Sequence, residues 1–74
     1  MSPVQKRSIT IRGHRTSFSI EQPFLDDLRA IAADRGIALA VLVAEIDAAR
    51  PRDANLSSAL RIFVLGHAKR MGSH

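Results

Sequence analysis

Arg15-Thr16-Ser17-Phe18-Ser19-Ile20-Glu21-Gln22-Pro23-Phe24 holds a change of period on which the architecture of the whole chain turns. From Thr16 to Ile20 apolar and polar side chains alternate, with Thr16, Phe18 and Ile20 on one side and Ser17 and Ser19 on the other. That is the two-residue period of a half-buried strand. After Ile20 the period changes: Phe24, Leu28 and Ile31 recur at helical spacing. A lone strand followed by helices leaves its backbone donors and acceptors in need of a partner strand, from upstream in the chain or from a second copy.

Upstream, residues 7–12 show a second alternation, with Ile9 and Ile11 set against Ser8, Thr10 and Arg12. One reading makes Gly13-His14 a hairpin turn, with Arg12 opposite Arg15, Ile11 opposite Thr16 and Ile9 opposite Phe18. The other makes residues 7–14 a flexible basic arm, beyond a disordered N-terminal segment at 1–6, and confines the strand to about 15–20. The simple strand with a basic arm is the reading preferred here.

Downstream, three helices are expected, at about 22–35, 38–49 and 55–69, with a disordered tail at 71–74. Pro23 suits a first helical turn and Gly36 a helix end. Leu39, Leu42, Val43 and Ile46 form the apolar face of the second helix, which Pro51 closes off. Asn55 or Asp53 can cap the third, where Leu56, Ala59, Leu60, Phe63, Val64 and His67 are in phase. Ile62 and Leu65 lie outside that stripe, which points to burial on more than one side.

At 74 residues and 8.1 kDa the chain is one small domain. Chains of this size are marginal alone unless a disulfide, a metal or another subunit contributes. Cysteine is absent, and the histidines at 14, 67 and 74 have no zinc-like spacing. Self-association is therefore the device expected, and no cofactor or metal. The net charge of +4 is unevenly placed: residues 1–20 hold Lys6, Arg7, Arg12 and Arg15 and no acid, while the remainder holds seven basic and seven acidic residues. A basic segment on strand pattern suggests a polyanion, nucleic acid first. No run approaches a membrane span and no signal-peptide pattern opens the chain, so a cytoplasmic location is expected.

Enzyme chemistry finds no footing. Glu45 and Asp47 stand two apart on a helix and point in different directions, which suits surface ion pairs and not an acid–base dyad. Ser57-Ser58 has no histidine placed to activate it, and no glycine-rich phosphate loop is present. His14 reads as an exposed turn residue and His67 as a packed one.

The order strand, helix, glycine, helix, carried by residues 15–24 with Leu28, Ile31-Ala32, Arg35-Gly36-Ile37 and Leu42-Val43, resembles the ribbon-helix-helix DNA-binding domain of the MetJ and Arc type. The fuller run, with Lys6-Arg7-Ser8-Ile9, Gly13-His14, Ala44-Glu45-Ile46-Asp47 and Asn55 to Arg61, is similar to a subgroup of short bacterial members. The resemblance implies a mainly α protein with one short β-ribbon strand, an intertwined homodimer and an added C-terminal helix. It implies a ribbon in the major groove of double-stranded DNA, with Arg15, Ser17 and Ser19 at base edges. Phosphates would be met by Lys6, Arg7 and Arg12 and by the start of the second helix at Ala38 and Leu39. The dimer core would comprise Phe18, Ile20, Phe24, Leu28, Ile31, Leu42, Val43, Ile46, Leu60 and Phe63. The function so implied is that of a small homodimeric transcriptional regulator. The alternative is a protein-interaction module, antitoxin-like or an adaptor, that uses the same fold without DNA and docks a partner as yet unknown.

Overall fold

Two antiparallel strands and three helices follow one another along the chain: β1 (Val4–Ile11), β2 (His14–Glu21), α1 (Gln22–Arg35), α2 (Leu39–Ala49) and α3 (Leu56–Gly72). The structure is a computed structural model that describes residues 4–11 and 13–72, at 4, 5, 71 and 72 by backbone alone. This is the expected mainly helical architecture, a β-ribbon followed by helices with a third helix added.

The ribbon differs from the preferred reading. It is a hairpin inside one chain, and β1 begins at Val4, where a disordered arm was expected. The physical reason is that Ile9 and Ile11 gain a covered face by pairing: Ile11 is buried and Ile9 half-buried against the core. The register differs too. Ile11 stands opposite His14, Ile9 opposite Thr16 and Arg7 opposite Phe18, two residues from the register expected around Gly13-His14. Gly13 takes the left-handed conformation at φ +80°, and His14 is already in β2. Because the shift is two residues and side chains alternate with period two, the apolar face is the same in both registers. Arg15 now faces Thr10, so the two opposed arginines of the expected register do not arise.

Each helix end follows from local chemistry. Pro23 sits in the first turn of α1, where a missing N–H costs nothing. At its other end Gly36 is left-handed, the Gly36 N–H donates to the Ala33 carbonyl at 3.1 Å, and the Ile37 N–H donates to the Ala32 carbonyl at 3.0 Å. That pair of bonds is a Schellman motif and turns the chain directly into α2. Arg50, extended ahead of Pro51, ends α2, and its Nε donates to Asp47 Oδ1 at 2.6 Å while its guanidinium also donates to the Ala54 carbonyl. Asn55 caps α3, its Oδ1 accepting from the Ser58 N–H at 2.8 Å.

The core is closed within one chain. Phe18, Ile20, Leu28, Ile31, Leu42, Val43, Ile46 and Leu60, expected at a dimer core, are all buried here, and Phe24 and Phe63 are packed against them half-buried. Leu25, Leu56 and Val64 complete the cluster. Leu56, Leu60 and Val64 place one stripe of α3 against β2, α1 and α2.

Candidate nucleic-acid interface

The hairpin has an apolar face turned to the helices and a polar face turned to solvent. On the polar face Lys6, Ser8 and Thr10 of β1 lie opposite Ser19, Ser17 and Arg15 of β2, and all six side chains are exposed. Ser8 Oγ and Ser17 Oγ are 3.5 Å apart at the centre. Arg15 stands toward the turn and Lys6 toward the helices, about 14 Å apart at roughly 3.4 Å per residue. Between them lies a row of hydroxyls that donate or accept. Such a surface offers cations for phosphate and short polar groups for base edges.

A carboxylate borders the helix end of this face. Glu21, at the helix end of β2, receives Arg61 Nε from α3 at 2.8 Å. The Arg61 hydrogen bond, helped by a backbone bond, holds the Glu21 carboxyl below the usual glutamate range. Its charge is thereby matched locally.

The expected phosphate contacts separate. Lys6 is exposed on the polar face. Arg7 belongs to the other face, because strand parity turns it toward the helices: it is half-buried and its guanidinium donates to Gln22 Oε1, while Gln22 Nε2 donates to Asp26 Oδ1 at 2.8 Å. Arg7 therefore ties β1 to α1, a correction to its expected place in a free arm. Arg12 lies outside the described residues. Ala38 is the N-cap of α2, its carbonyl accepting from the N–H groups of Val41 at 3.0 Å and Leu42 at 3.1 Å, with no side-chain cap. Leu39 is half-buried against the core, so only its backbone N–H is suited to an anion. Ala40 and Val41, in the first turn of α2, share a groove with Thr10, which brings that helix end beside the ribbon.

Two contributions had no signal in the chain's local pattern. Arg52, in the connection between α2 and α3, lines a groove with Thr16 and Ser17 near the turn half of the ribbon, together with Asp53 and the Asp47–Arg50 pair. Ser57 Oγ accepts from the Ser19 N–H at 3.2 Å. The acids Glu45 and Asp47 pair with Arg35 at 3.0 Å and Arg50 at 2.6 Å, as surface ion pairs. Among the described residues no group of three or more metal-ligating side chains converges, and no helix is long and apolar enough to cross a membrane.

A two-stranded ribbon with a polar outer face, followed by helices joined through a glycine turn, defines the ribbon-helix-helix class. Comparison with known families agrees: the model of the ribbon-helix-helix domain family matches residues 4–68, and the chain belongs to that family. The match includes β1 and most of α3, so hairpin and third helix are both within the family's pattern. Among curated proteins and solved structures nothing matches.

Proposed function

We propose that this protein is a small DNA-binding transcriptional regulator of bacterial type that acts in the cytoplasm as a homodimer. The ribbon's polar face enters the major groove of double-stranded DNA, with Arg15, Ser17 and Ser19 at base edges. Arginine offers a bidentate fork to guanine, whereas the serines discriminate weakly, so the reading is semi-specific. Lys6 and Arg12, with the backbone N–H groups at Ala38 and Leu39, hold phosphates. The observation that carries this proposal is the exposed row of Lys6, Ser8, Thr10, Arg15, Ser17 and Ser19 on one face of the hairpin, with Glu21 at its helix end held by Arg61. Family membership supports it, because the ribbon-helix-helix domain is a non-enzymatic DNA-binding fold. Occupancy of an operator would then exclude polymerase.

A fluorescence-anisotropy titration against random-sequence duplex DNA at two salt concentrations tests this. Salt-sensitive binding that weakens in Arg15→Ala supports it; no binding at low salt by the folded protein overturns it. The second reading, a protein-interaction module, is favoured by one observation: Ile62 and Leu65 on α3 are 68% and 54% exposed, and Ile62 lines an apolar groove with Ala49, Pro51, Ala59 and Phe63. On that reading the dimer ignores both salt and Arg15→Ala.

A further inference from the structure

We infer that Thr10, on the strand before the turn, reads the methyl group of a thymine next to the guanine met by Arg15. The inference rests on the DNA-binding reading above and deepens it, by adding a residue of β1 to those of β2 that read bases.

The Ser19 N–H reaches Ser57 Oγ and so points away from β1. Backbone groups alternate in direction along an antiparallel pair, and Ser17 and Arg15 therefore point the same way as Ser19. Thr10 and Arg15 are thus directly opposed without mutual backbone hydrogen bonds. In pairs of that kind the side chains stand closer, with Cα atoms about 4.5 Å apart. Both side chains are exposed on the polar face. The spacing is of the order of one base-pair step, roughly 3.4 Å. When the guanidinium forks onto guanine O6 and N7, Thr10 comes to lie over the neighbouring base pair.

The side chains on this face decide which group Thr10 meets. Lys6, Ser8, Arg15, Ser17 and Ser19 end in ammonium, hydroxyl or guanidinium, whereas Thr10 alone carries a methyl beside its hydroxyl. Being short, it reaches a base group that projects into the groove. The thymine C5-methyl is such a group, and it is apolar. Branching at Cβ also restricts the χ1 of Thr10, so little freedom is lost on contact.

Position points the same way. Thr10 shares a groove with Ala40 and Val41 in the first turn of α2, and Glu45, which also lines it, is paired with Arg35 at 3.0 Å. The N–H groups proposed to hold a phosphate open that same helix. A duplex anchored there lies on the β1 side of the ribbon. On the β2 side, Ser57 and Arg61 of α3 occupy the edge, holding the Ser19 N–H and the Glu21 carboxylate.

The test uses the full chain. Rounds of selection from random-sequence duplex DNA give the preferred site, in which a guanine should adjoin an A·T pair. Anisotropy titrations then compare that duplex with versions in which each thymine in turn is replaced by deoxyuridine, which lacks only the methyl. One such replacement should weaken binding by the native chain about four-fold, the worth of one buried methyl. Thr10→Val, which keeps a methyl, should show the same loss. Thr10→Ser, which keeps only the hydroxyl, should show none. Selection of no site by a chain that binds DNA, indifference of the native chain to every deoxyuridine, or an undiminished loss in Thr10→Ser overturns the inference and leaves DNA binding standing. Absence of binding at low salt overturns both.

Discussion

Ser57 Oγ, in the first turn of α3, lies 3.2 Å from the backbone nitrogen of Ser19 in β2 and accepts its hydrogen bond. Residues 38 apart in sequence are joined by it, and it turns the edge of the ribbon into an internal seam. Arg61, one helical turn further along, repeats the connection through Glu21. Helix and ribbon are thus stitched at two successive points.

Ser57→Ala should remove the first of these. The loss expected is about 0.5–1.5 kcal/mol, the net worth of one such bond. Urea denaturation would read the total, and amide exchange would show faster loss of the Ser19 proton with little change at Ile20.

The Glu21–Arg61 pair makes stability depend on pH. The folded-state pKa of Glu21 is lowered, chiefly by the Arg61 hydrogen bond, so the pair's contribution is present above the ordinary glutamate range and is lost as pH falls through the lowered value. Acid titration of thermal midpoints should show this fall in the native chain and a shallower one in Glu21→Gln.

Two basic residues adjacent in sequence should respond in opposite ways. Lys6→Ala should weaken binding to duplex DNA uniformly across sequences and lower the salt slope by about 1. Arg7→Ala should leave that slope unchanged and lower stability, because its guanidinium serves Gln22 at the start of α1. Anisotropy and denaturation on the same pair of variants separate the two roles.

Leu60 is fully buried where α3 meets the rest of the core. Leu60→Ala should cost about 2–5 kcal/mol, a large share of the stability of so small a domain. Loss of the cooperative thermal transition, or a steep fall in its midpoint by circular dichroism, is the expected result.

Gly36 and Gly66 should respond to alanine with opposite signs. Gly36 sits at φ +70°, where a Cβ is strained, so Gly36→Ala should destabilise by about 1 kcal/mol. Gly66 lies inside α3 with open space where a Cβ would go, so Gly66→Ala should stabilise by about 0.5–1 kcal/mol. Paired urea midpoints would check both.

What local pattern determined is the set of faces. The alternation at residues 7–11 and 16–20 assigns Ile9, Ile11, Phe18 and Ile20 inward and Ser8, Ser17 and Ser19 outward in either register, because a two-residue slip preserves parity. The strand-to-helix switch at Gln22, the glycine end at Gly36 and the cap at Asn55 depend on backbone chemistry within a few residues, and were legible for that reason. The excess positive charge of the first twenty residues was equally visible. The inward course of Arg7 follows from the same parity, but only once β1 is known to be a strand.

The tertiary structure alone decided where the strand's partner comes from. Ile9 and Ile11 alternate equally well in an arm that pairs with another chain, and the choice of an internal hairpin depends on what covers them, the helices behind the sheet. The seam at Ser57, the pairing of Arg61 with Glu21 in preference to Glu45 or Asp47, and the approach of Arg52 to Ser17 join segments about 35–40 residues apart. No periodicity encodes such contacts. They arise because Leu56, Leu60 and Val64 find their burial against β2 and α1, and the polar residues on the same turns of α3 are carried to the ribbon with them.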